Sequence, residues 1–374
     1  MWIHEHQNWP DFTWDAQAVS NHLADLRHRQ GRLIGHMESL GFELKQEAHL
    51  YTLTSDVVKS SAIEGEHLNP TEVRSSIAQR LGMDVAGISA STRDVDGIVE
   101  MMIDATHKSP ETLTKQRLFD WHCVLFPTER SGFRRITVGK WRTGETGAMR
   151  VISGPVGHES IHFEAPAAER LEDEMQIFLK WFNDNQGIDP IIKAGIAHFW
   201  FVTIHPFEDG NGRIARAISD MALARADGVP QRFYSMSSQI EVERKDYYNQ
   251  LERQQRGTPN LTKWLEWFLG CLNRSISHAE ESLSQILLKS RLWTKLYQSA
   301  SKKPPNDRQS LVINRMFEED FKGHMNTSKY AKLAKCSTDT ALRDIQDLLE
   351  RWALIQNSGK GRSTSYRLPR SHEI

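Results

Sequence analysis

The sequence lacks the features that would assign it to several large classes of protein. Its 374 residues include only 3 cysteines, and Cys123, Cys271 and Cys336 have neither the spacing of a metal site nor that of a disulfide framework. No uninterrupted apolar run approaches the ~18 residues that a membrane helix needs. The first residues do not have the basic and then apolar pattern of a signal peptide. We therefore expect a cytoplasmic protein with no membrane partner.

An excess of charge of either sign is also missing. Lys and Arg number 47 and Asp and Glu 48, so the net charge is −1, which excludes bulk electrostatic capture of nucleic acid as the main role of the whole chain. Hydrophobic residues make up 39% and charged residues 25%, as in an ordinary folded protein. A chain of this length allows two or three domains at roughly 100–200 residues each.

Helical periodicity dominates the pattern that is present. Leu26, Leu33 and Met37 belong to one apolar helix face that Gly41 ends, and a second helix is predicted over about 43–62. Further helices are predicted near 90–107, 112–125, 166–185, 189–204, 212–227, 240–256 and 260–299. The predicted fold class is therefore mainly α.

Glycine interrupts this pattern between Phe133 and Glu164. Short β-rich pieces near 149–152 and 160–163 lie between the glycines. They predict a loop region with a small β-hairpin and no large sheet.

Prolines interrupt the helical pattern again near Ser301, where Pro304 and Pro305 with polar neighbours predict a linker. Beyond it the order is helix, helix, turn, helix and two short strands, which is typical of a winged helix-turn-helix. The predicted domains are an N-terminal helical segment over 1–45, a main domain over 46–300 and this module over 301–374.

The densest group of reactive residues runs from His205 to Arg216, after an apolar stretch. Pro206 prevents a simple continuation of the preceding helix, and Gly210 and Gly212 let the backbone approach a ligand closely. A glycine turn at a helix N-terminus is a concave anion site. The segment therefore predicts binding of a phosphate group.

Charged side chains around this turn favour phosphoryl transfer. Arg213 and Arg216 share one helix face, and two guanidinium groups fit a polyphosphate better than a single carboxylate. Asp209 is a hard oxygen ligand suited to Mg²⁺ that bridges phosphates, and His205 can take a proton near neutral pH. Taken singly, these residues have other interpretations: a structural histidine, a helix N-cap, a His–Asp metal pair or a solvated arginine face. Their combination indicates a phosphoryl-transfer site.

The segment matches every fixed position of the Fic family signature, His-x-Phe-x-(Asp/Glu)-Gly-Asn-Gly-Arg-x-x-Arg, so the sequence resembles that family over roughly residues 50–270. The resemblance implies a Fic-type helical bundle that transfers AMP from ATP to a Ser, Thr or Tyr hydroxyl of a protein. It makes His205 the base, Phe207 a core anchor of the loop and Asp209 the holder of Mg²⁺. It assigns phosphate contacts to Gly210, Asn211, Gly212, Arg213 and Arg216. Glycine at 212, where phosphorylating members carry lysine, indicates the nucleotidyl-transfer type.

A second motif resembles the family's inhibitory pattern, (Ser/Thr)-x-x-x-Glu-(Gly/Asn). Ser60 and Glu64 are four residues apart at the end of a predicted helix near 46–65, which Gly65 terminates. The resemblance implies that Glu64 pairs with Arg216 and blocks productive ATP binding. In some members of this class the same glutamate also supports removal of AMP. The alternative is an ordinary surface glutamate.

Two further segments resemble the family more weakly. Fic proteins have a β-hairpin flap before the signature, which docks the target by strand addition. Here the flap residues would be Ile161, His162, Phe163 and Glu164. An ordinary hairpin is the alternative. After the signature, Tyr247 or Tyr248 is expected near the nucleotide base, with two core tyrosines as the alternative.

The C-terminal module is a weak candidate for DNA binding. It carries twelve Lys/Arg against nine Asp/Glu over 306–374, and its third helix over 338–351 is net negative. Basic residues of the wing favour DNA more, namely Lys360, Arg362, Arg367 and Arg370. We favour a protein contact over DNA.

Three hypotheses for the whole chain follow. The first is an autoinhibited Fic adenylyltransferase that uses ATP with Mg²⁺, is expected to be a homodimer, and modifies an unknown protein or itself. The second is a nucleotide-sensing transcriptional regulator with a DNA-binding winged helix. The third is an enzyme that transfers another group, such as UMP or phosphocholine.

Overall fold

The computed structural model describes residues 1–83, 90–145, 147–154, 158, 160–184, 187–298, 304–317, 321–351, 353–357, 364–370 and 373. The chain divides into two compact units, Met1–Ala279 and Glu280–Ile374. This division comes before the linker predicted near Ser301, of which residues 301–303 lie outside the described residues. In the described ranges, no helix has the length and apolar character to cross a membrane.

Helices make up most of the first unit, in agreement with the predicted mainly α class. They are α1 (Ala16–Glu38), α2 (Phe42–Ile63), α3 (Pro70–Arg80), α4 (Arg93–His107), α5 (Lys115–Leu125), α6 (Leu171–Asn183), α7 (Pro190–Ile204), α8 (Asn211–Asp227), α9 (Met236–Val242), α10 (Arg244–Gln255) and α11 (Thr262–Gln298), the last of which crosses the boundary between the units. A short 3-10 helix, Ile3–Glu5, precedes them.

The single helix predicted over 240–256 is wrong, because two helices meet at Glu243. This residue has φ −101° and ψ 22°, which is outside the helical region. Its carboxylate accepts hydrogen bonds of 2.5 and 2.6 Å from Arg274. The two bonds fix Glu243 at the turn between α9 and α10.

The core of the first unit contains α7, which ends at the signature segment. All residues from Ile191 to Ile204 are buried except Lys193, which accounts for the almost continuous apolar sequence. Asp189 caps the first turn by accepting a hydrogen bond from the N–H of Ile191 at 2.8 Å. The helix ends at His205, whose φ of 52° is in the left-handed region that non-glycine residues rarely adopt.

A buried polar network holds α2 against this core. Asp56 of α2 accepts hydrogen bonds from the hydroxyl of Ser235 at 2.5 Å and from the N–H of Ser237 at 3.3 Å. Beside it, Arg232 pairs with Asp220 of α8 at 3.0 Å. Burial raises the pKa of Asp220, and the charge of Asp56 adds to the increase. The middle of α2 is therefore anchored at the N-terminus of α9, close to Asp220 of α8.

Small antiparallel hairpins complete the first unit. In the described residues, β1 (Arg130–Ser131) pairs with β2 (Arg134–Arg135), and β3 (Arg150–Ser153) pairs with β4 (Ser160–Glu164). The second hairpin is the one predicted from the glycine-rich segment, and residues 155–157 and 159 lie outside the described residues. Phe163 packs against the rings of Trp2 and His4, with centroids 5.5 and 5.9 Å away. The N-terminal segment therefore packs against this hairpin.

The second unit has a core of its own. Its elements after α11 are α12 (Asp307–Met316), α13 (Thr327–Leu333), α14 (Thr338–Glu350), β5 (Ile355–Gln356) and β6 (Tyr366–Arg367). The two strands are antiparallel, and Met325 forms a further antiparallel bridge with Tyr366. Apolar residues of α12, α13 and α14 pack together. Lys360 and Arg362, which the sequence places in a predicted wing, lie outside the described residues.

Candidate active site

The signature segment forms a tight loop between α7 and α8, which Asn211 closes. The side-chain amide of Asn211 donates to the carbonyl of Phe207 at 2.9 Å, and its oxygen accepts from the N–H of Phe207 at 3.0 Å. Phe207 is 0% exposed and stacks on His122 with centroids 4.1 Å apart. The side chain of Asn211 therefore shapes the loop, and any phosphate contact there falls to the backbone.

His205 is held with one ring nitrogen available as a base. Its Nδ1 lies 3.2 Å from the carbonyl oxygen of Val202. Because a carbonyl can only accept, Nδ1 carries the proton and Nε2 is left as a proton acceptor. Burial lowers the pKa of His205 to about 4, and the charge of Arg142 contributes to the lowering. The imidazole is therefore neutral at pH 7, as a general base must be.

The N-terminus of α8 is arranged to bind an anion. The first intrahelical hydrogen bond runs from the N–H of Ile214 to the carbonyl of Gly210 at 3.0 Å, so the N–H groups of residues 211–213 precede the helical ladder. Gly210 has φ 80°, and an added Cβ would lie 2.9 Å from the ring of Phe126. These N–H groups and the positive end of the helix dipole favour negative charge at this point.

The carboxylate of Glu64 lies at this N-terminus and pairs with Arg216. Its Oε1 is 2.9 Å from Nη2 of Arg216. The same guanidinium group donates from Nε to the hydroxyl of Ser60 and from Nη2 to the carbonyl of Ser60, both at 2.9 Å. Burial opposes the charged form of Arg216, but Glu64 together with Tyr247 and Tyr248 outweighs it, so the pKa of Arg216 is raised. An added Cβ at Gly212 would lie 2.2 Å from Oε1 of Glu64, so glycine at 212 leaves room for the carboxylate.

A second carboxylate, which the sequence motif did not identify, pairs with the other arginine. Oε2 of Glu66 lies 2.7 Å from Nη1 of Arg213. The guanidinium group of Arg213 also lies over the ring of Phe126 at 5.0 Å. Gly65, with φ 85°, turns the chain between Glu64 and Glu66. Both arginines of the signature are therefore paired with carboxylates in this structure.

Asp209 is the residue at the loop that fits a magnesium ion. Its Oδ1 accepts from the N–H of Gly210 at 2.6 Å, and its Oδ2 accepts from the hydroxyl of Ser131 in β1. Among the described residues, no group of three or more His, Cys, Asp or Glu could hold a metal. A single carboxylate agrees with Mg²⁺ that is shared with nucleotide phosphates, because this ion keeps several waters and needs few protein ligands.

One of the two candidate tyrosines lies at the site. The hydroxyl of Tyr248 is 3.3 Å from the carbonyl of Ile63 and 3.4 Å from Oε2 of Glu64. Tyr247 is 1% exposed and its hydroxyl lies 2.9 Å from Nε2 of His198. The structure therefore places Tyr248 beside Glu64 and Tyr247 in the core.

The candidate flap is joined to its surroundings through β4. The carbonyl of Ile161 accepts from Nη2 of Arg256 at 2.7 Å. The carbonyl of Glu164 accepts a hydrogen bond from Nε2 of His4 at 2.8 Å. Two backbone acceptors of the strand predicted to dock a target are therefore already used.

The other two flap residues also face protein. Nδ1 of His162 lies 2.7 Å from the carboxylate of Glu252 in α10, and its Nε2 lies 2.6 Å from the hydroxyl of Ser153. Phe163 is 1% exposed. His162 therefore links the flap to the helix that carries Tyr248.

Sequence reasoning missed residues that reach the loop from distant parts of the chain. Ser131 and His122, which bond the side chain and the carbonyl of Asp209, lie 78 and 87 residues before it. The Nε of Arg142 donates to the carbonyl of His205 at 2.8 Å. Local motifs carry no signal for such contacts. Glu66, in contrast, had a signal in the sequence, because it is an acidic residue just beyond the glycine that ends a helix.

Comparison with known proteins identifies families and relatives that this chain resembles. Residues 112–223 match the Fic/DOC family, and residues 2–83 match a domain of unknown function, DUF4172. The chain is 28% identical over 208 residues to protein adenylyltransferase fic-1 of Caenorhabditis briggsae, which covers 55% of this chain and 37% of that protein. It is 34% identical over 113 residues to protein adenylyltransferase Fic of Nematostella vectensis, which covers 30% of this chain and 25% of that protein. The chain thus spans well under half the length of these curated relatives.

The fold agrees with that of a solved bacterial structure. A Fic family protein from Desulfovibrio desulfuricans matches with a TM-score of 0.51 at 20% identity, over 96% of this chain and 98% of that chain. At this identity the likeness concerns the fold alone. The mainly helical architecture with small antiparallel strand pairs is the one that the signature predicted.

Proposed function

We propose that this chain, whose residues 112–223 form a Fic/DOC-family domain, is a protein adenylyltransferase that moves AMP from ATP to a Ser, Thr or Tyr hydroxyl of a target protein or of itself. The observation that carries the proposal is the meeting of His205, free at Nε2, with a helix N-terminus flanked by Arg213 and Arg216. The adenylyltransferase relatives support the same conclusion and do not support the regulator hypothesis.

Each functional residue of the loop has a separate role in the transfer. Nε2 of His205 takes the proton of the attacking hydroxyl, whose oxygen bonds to the α-phosphorus while the bond to the β-phosphate breaks and pyrophosphate leaves. The N–H groups of α8 and the guanidinium groups of Arg213 and Arg216 bind the phosphates and stabilise the developing charge. Asp209, oriented by Ser131, would hold a Mg²⁺ ion that neutralises phosphate charge when bound.

Glu64 inhibits this enzyme by taking the place of a phosphate. Its carboxylate accepts a hydrogen bond from Arg216 and lies beside Gly212 at the N-terminus of α8. A charge-assisted hydrogen bond is worth about 1.5–3 kcal/mol, which biases a two-state equilibrium ~10–100-fold. Glu66 holds Arg213 in the same way. Productive ATP binding therefore requires both carboxylates to leave the arginines.

Target docking is assigned to the hairpin of β3 and β4. Its exposed apolar side chains are Val151, Ile152 and Ile161, at 37%, 54% and 41%. All four residues of β3 are exposed, whereas β4 already accepts hydrogen bonds from Arg256 and His4. We therefore assign strand addition to β3, which would fix the register of the target hydroxyl.

The second unit is assigned as a winged helix-turn-helix that contacts protein rather than DNA. The order of its helices and strands supports the winged helix. Asp344 of α14 is 7% exposed and pairs with Arg308 at 2.8 Å, so this acidic residue faces inward. The exposed positions include Asp339 and Glu350, and Leu342 is 52% exposed. This face also exposes Arg343 but stays net acidic around an apolar side chain, which fits a protein surface, such as a second copy in the expected homodimer, better than phosphates.

Label transfer from α-³²P-ATP with Mg²⁺ tests the proposal. The proteins compared are the wild type, Glu64→Gly and, as a matched control at an exposed position of α2, Glu43→Gln. We expect label on the protein itself or on lysate proteins, mainly with Glu64→Gly, and wild-type behaviour of the control. Label from UTP or CDP-choline but not from ATP would keep the site and change the transferred group. No label from any nucleotide would overturn the proposal and favour the regulator.

A further inference from the structure

Arg142 connects the catalytic loop with the end of the flap. Its Nε donates to the carbonyl of His205 at 2.8 Å, and its Nη2 donates to the carbonyl of Pro166 at 2.5 Å. Its own backbone N–H donates to the carbonyl of Pro206 at 2.9 Å. Pro166 lies two residues beyond the end of β4. Arg142 thus forms hydrogen bonds with the backbone at three places, namely the catalytic base, the residue after it and the end of the flap.

The environment of Arg142 is unusual for a charged side chain. The residue is only 5% exposed, and burial lowers its pKa to about 10. In the part of the chain that the structure describes, both of its side-chain hydrogen bonds go to backbone carbonyls. A buried guanidinium group is costly unless its donors are satisfied. Its directed bonds to two distant carbonyls therefore point to a geometric role.

The carbonyl of His205 is a point where such a constraint matters. His205 has a left-handed backbone conformation, which is unfavourable for a residue with a Cβ and persists where the surroundings impose it. Its Nδ1 bond to Val202 sets the direction of the ring. If the peptide after His205 rotated, Nε2 would move with the residue. Arg142 holds this peptide, and the same side chain also bonds the end of the flap.

We propose that Arg142 is a positioning residue that fixes the catalytic base and the docking flap relative to each other. The hydroxyl of a docked segment then meets Nε2 of His205. The inference rests on the proposed function, because it concerns transfer to a hydroxyl. It assigns Arg142 no contact with ATP or target. Small displacements between a base and its substrate are costly, since a shift of about 1 Å can lower a rate about 100-fold.

The test compares Arg142→Gln and Arg142→Lys in the Glu64→Gly protein, with Lys140→Gln as the matched control at an exposed position two residues earlier. We measure the affinity for MgATP by calorimetry and the rate of AMP transfer to whichever acceptor Glu64→Gly labels. We expect Arg142→Gln to reduce transfer about 100-fold with ATP affinity within about 2-fold. Lysine keeps the charge but lacks the forked donors of the guanidinium group, so Arg142→Lys should reduce the rate of transfer about 10-fold. The control should match the parent.

Hydrogen exchange of the free proteins separates this inference from the proposed function. If Arg142 couples the two segments, amide exchange should rise in Arg142→Gln at residues 160–165, at His205 and at Phe207, and stay unchanged in α6. This holds even if Glu64→Gly transfers nothing, an outcome that would overturn the proposed function alone. Unchanged transfer, an equal loss of ATP affinity and transfer, or a rise of exchange throughout the first unit would each overturn the positioning role.

Discussion

The carboxylate of Glu66 lies 2.7 Å from the guanidinium group of Arg213, one residue beyond the glycine that follows Glu64. Arg213 is 4% exposed in this pair and Glu66 is 47% exposed. Both carboxylates therefore leave the end of α2 toward α8 and reach one arginine each. A single displacement of residues 64–66 would free both guanidinium groups, whereas loss of either carboxylate would free only one.

Glu66→Gln is expected to activate the wild-type protein weakly. Half-exposed ion pairs contribute up to about 1 kcal/mol, so label transfer should rise by at most about 5-fold. This is less than for Glu64→Gly. Rates of transfer from α-³²P-ATP measure the effect, and Glu43→Gln, an exposed substitution in α2, is the matched control. A decrease on Glu66→Gln would mean that Glu66 holds Arg213 ready for phosphate instead of blocking it.

His205→Ala should abolish transfer without weakening ATP binding. The side chain removes a proton and, in our assignment, does not hold a phosphate, so the loss falls on the chemical step, at about 10²–10⁴-fold. The affinity for MgATP of Glu64→Gly with and without His205→Ala should agree within about 2-fold. Turnover that survives the substitution would rule out the assigned role of Nε2.

The ion pair of Glu64 with Arg216 could be predicted because each of the two residues lies in a motif with fixed spacing. The surroundings of Asp209 could not. Ser131 and His122 reach it only because α5 and the β1–β2 hairpin pack against the loop, and side chains so far apart in sequence leave no local pattern. Tyr247 and Tyr248 show the same limit at short range, since neighbouring residues on one helix face a core and a site.

The hydrogen bond from Ser131 to Asp209 predicts a change in Mg²⁺ dependence. Partners that orient a ligating carboxylate typically alter metal affinity about 10–100-fold. In the Glu64→Gly protein, Ser131→Ala should therefore raise the Mg²⁺ concentration for half-maximal transfer about 10-fold while transfer at saturating Mg²⁺ stays close to that of the parent. Asp209→Ala, in contrast, should remove activity at every Mg²⁺ concentration. An unchanged Mg²⁺ titration of Ser131→Ala would contradict the orienting role.

Protonation of His49 in acid should destabilise the packing of α2. This residue is 3% exposed, and its Nδ1 lies 3.2 Å from both the backbone nitrogen and the carbonyl oxygen of Arg232. Burial lowers the pKa of His49 to about 4, below the value of about 6.5 for an unfolded chain. Its stabilisation, at most about 3 kcal/mol, is therefore complete above pH 6.5 and lost as the pH falls toward 4. The melting temperature should fall less between pH 7.5 and 5 in His49→Gln than in the wild type or in the exposed control His36→Gln. Equal falls in all three proteins would exclude His49 as a source of acid sensitivity.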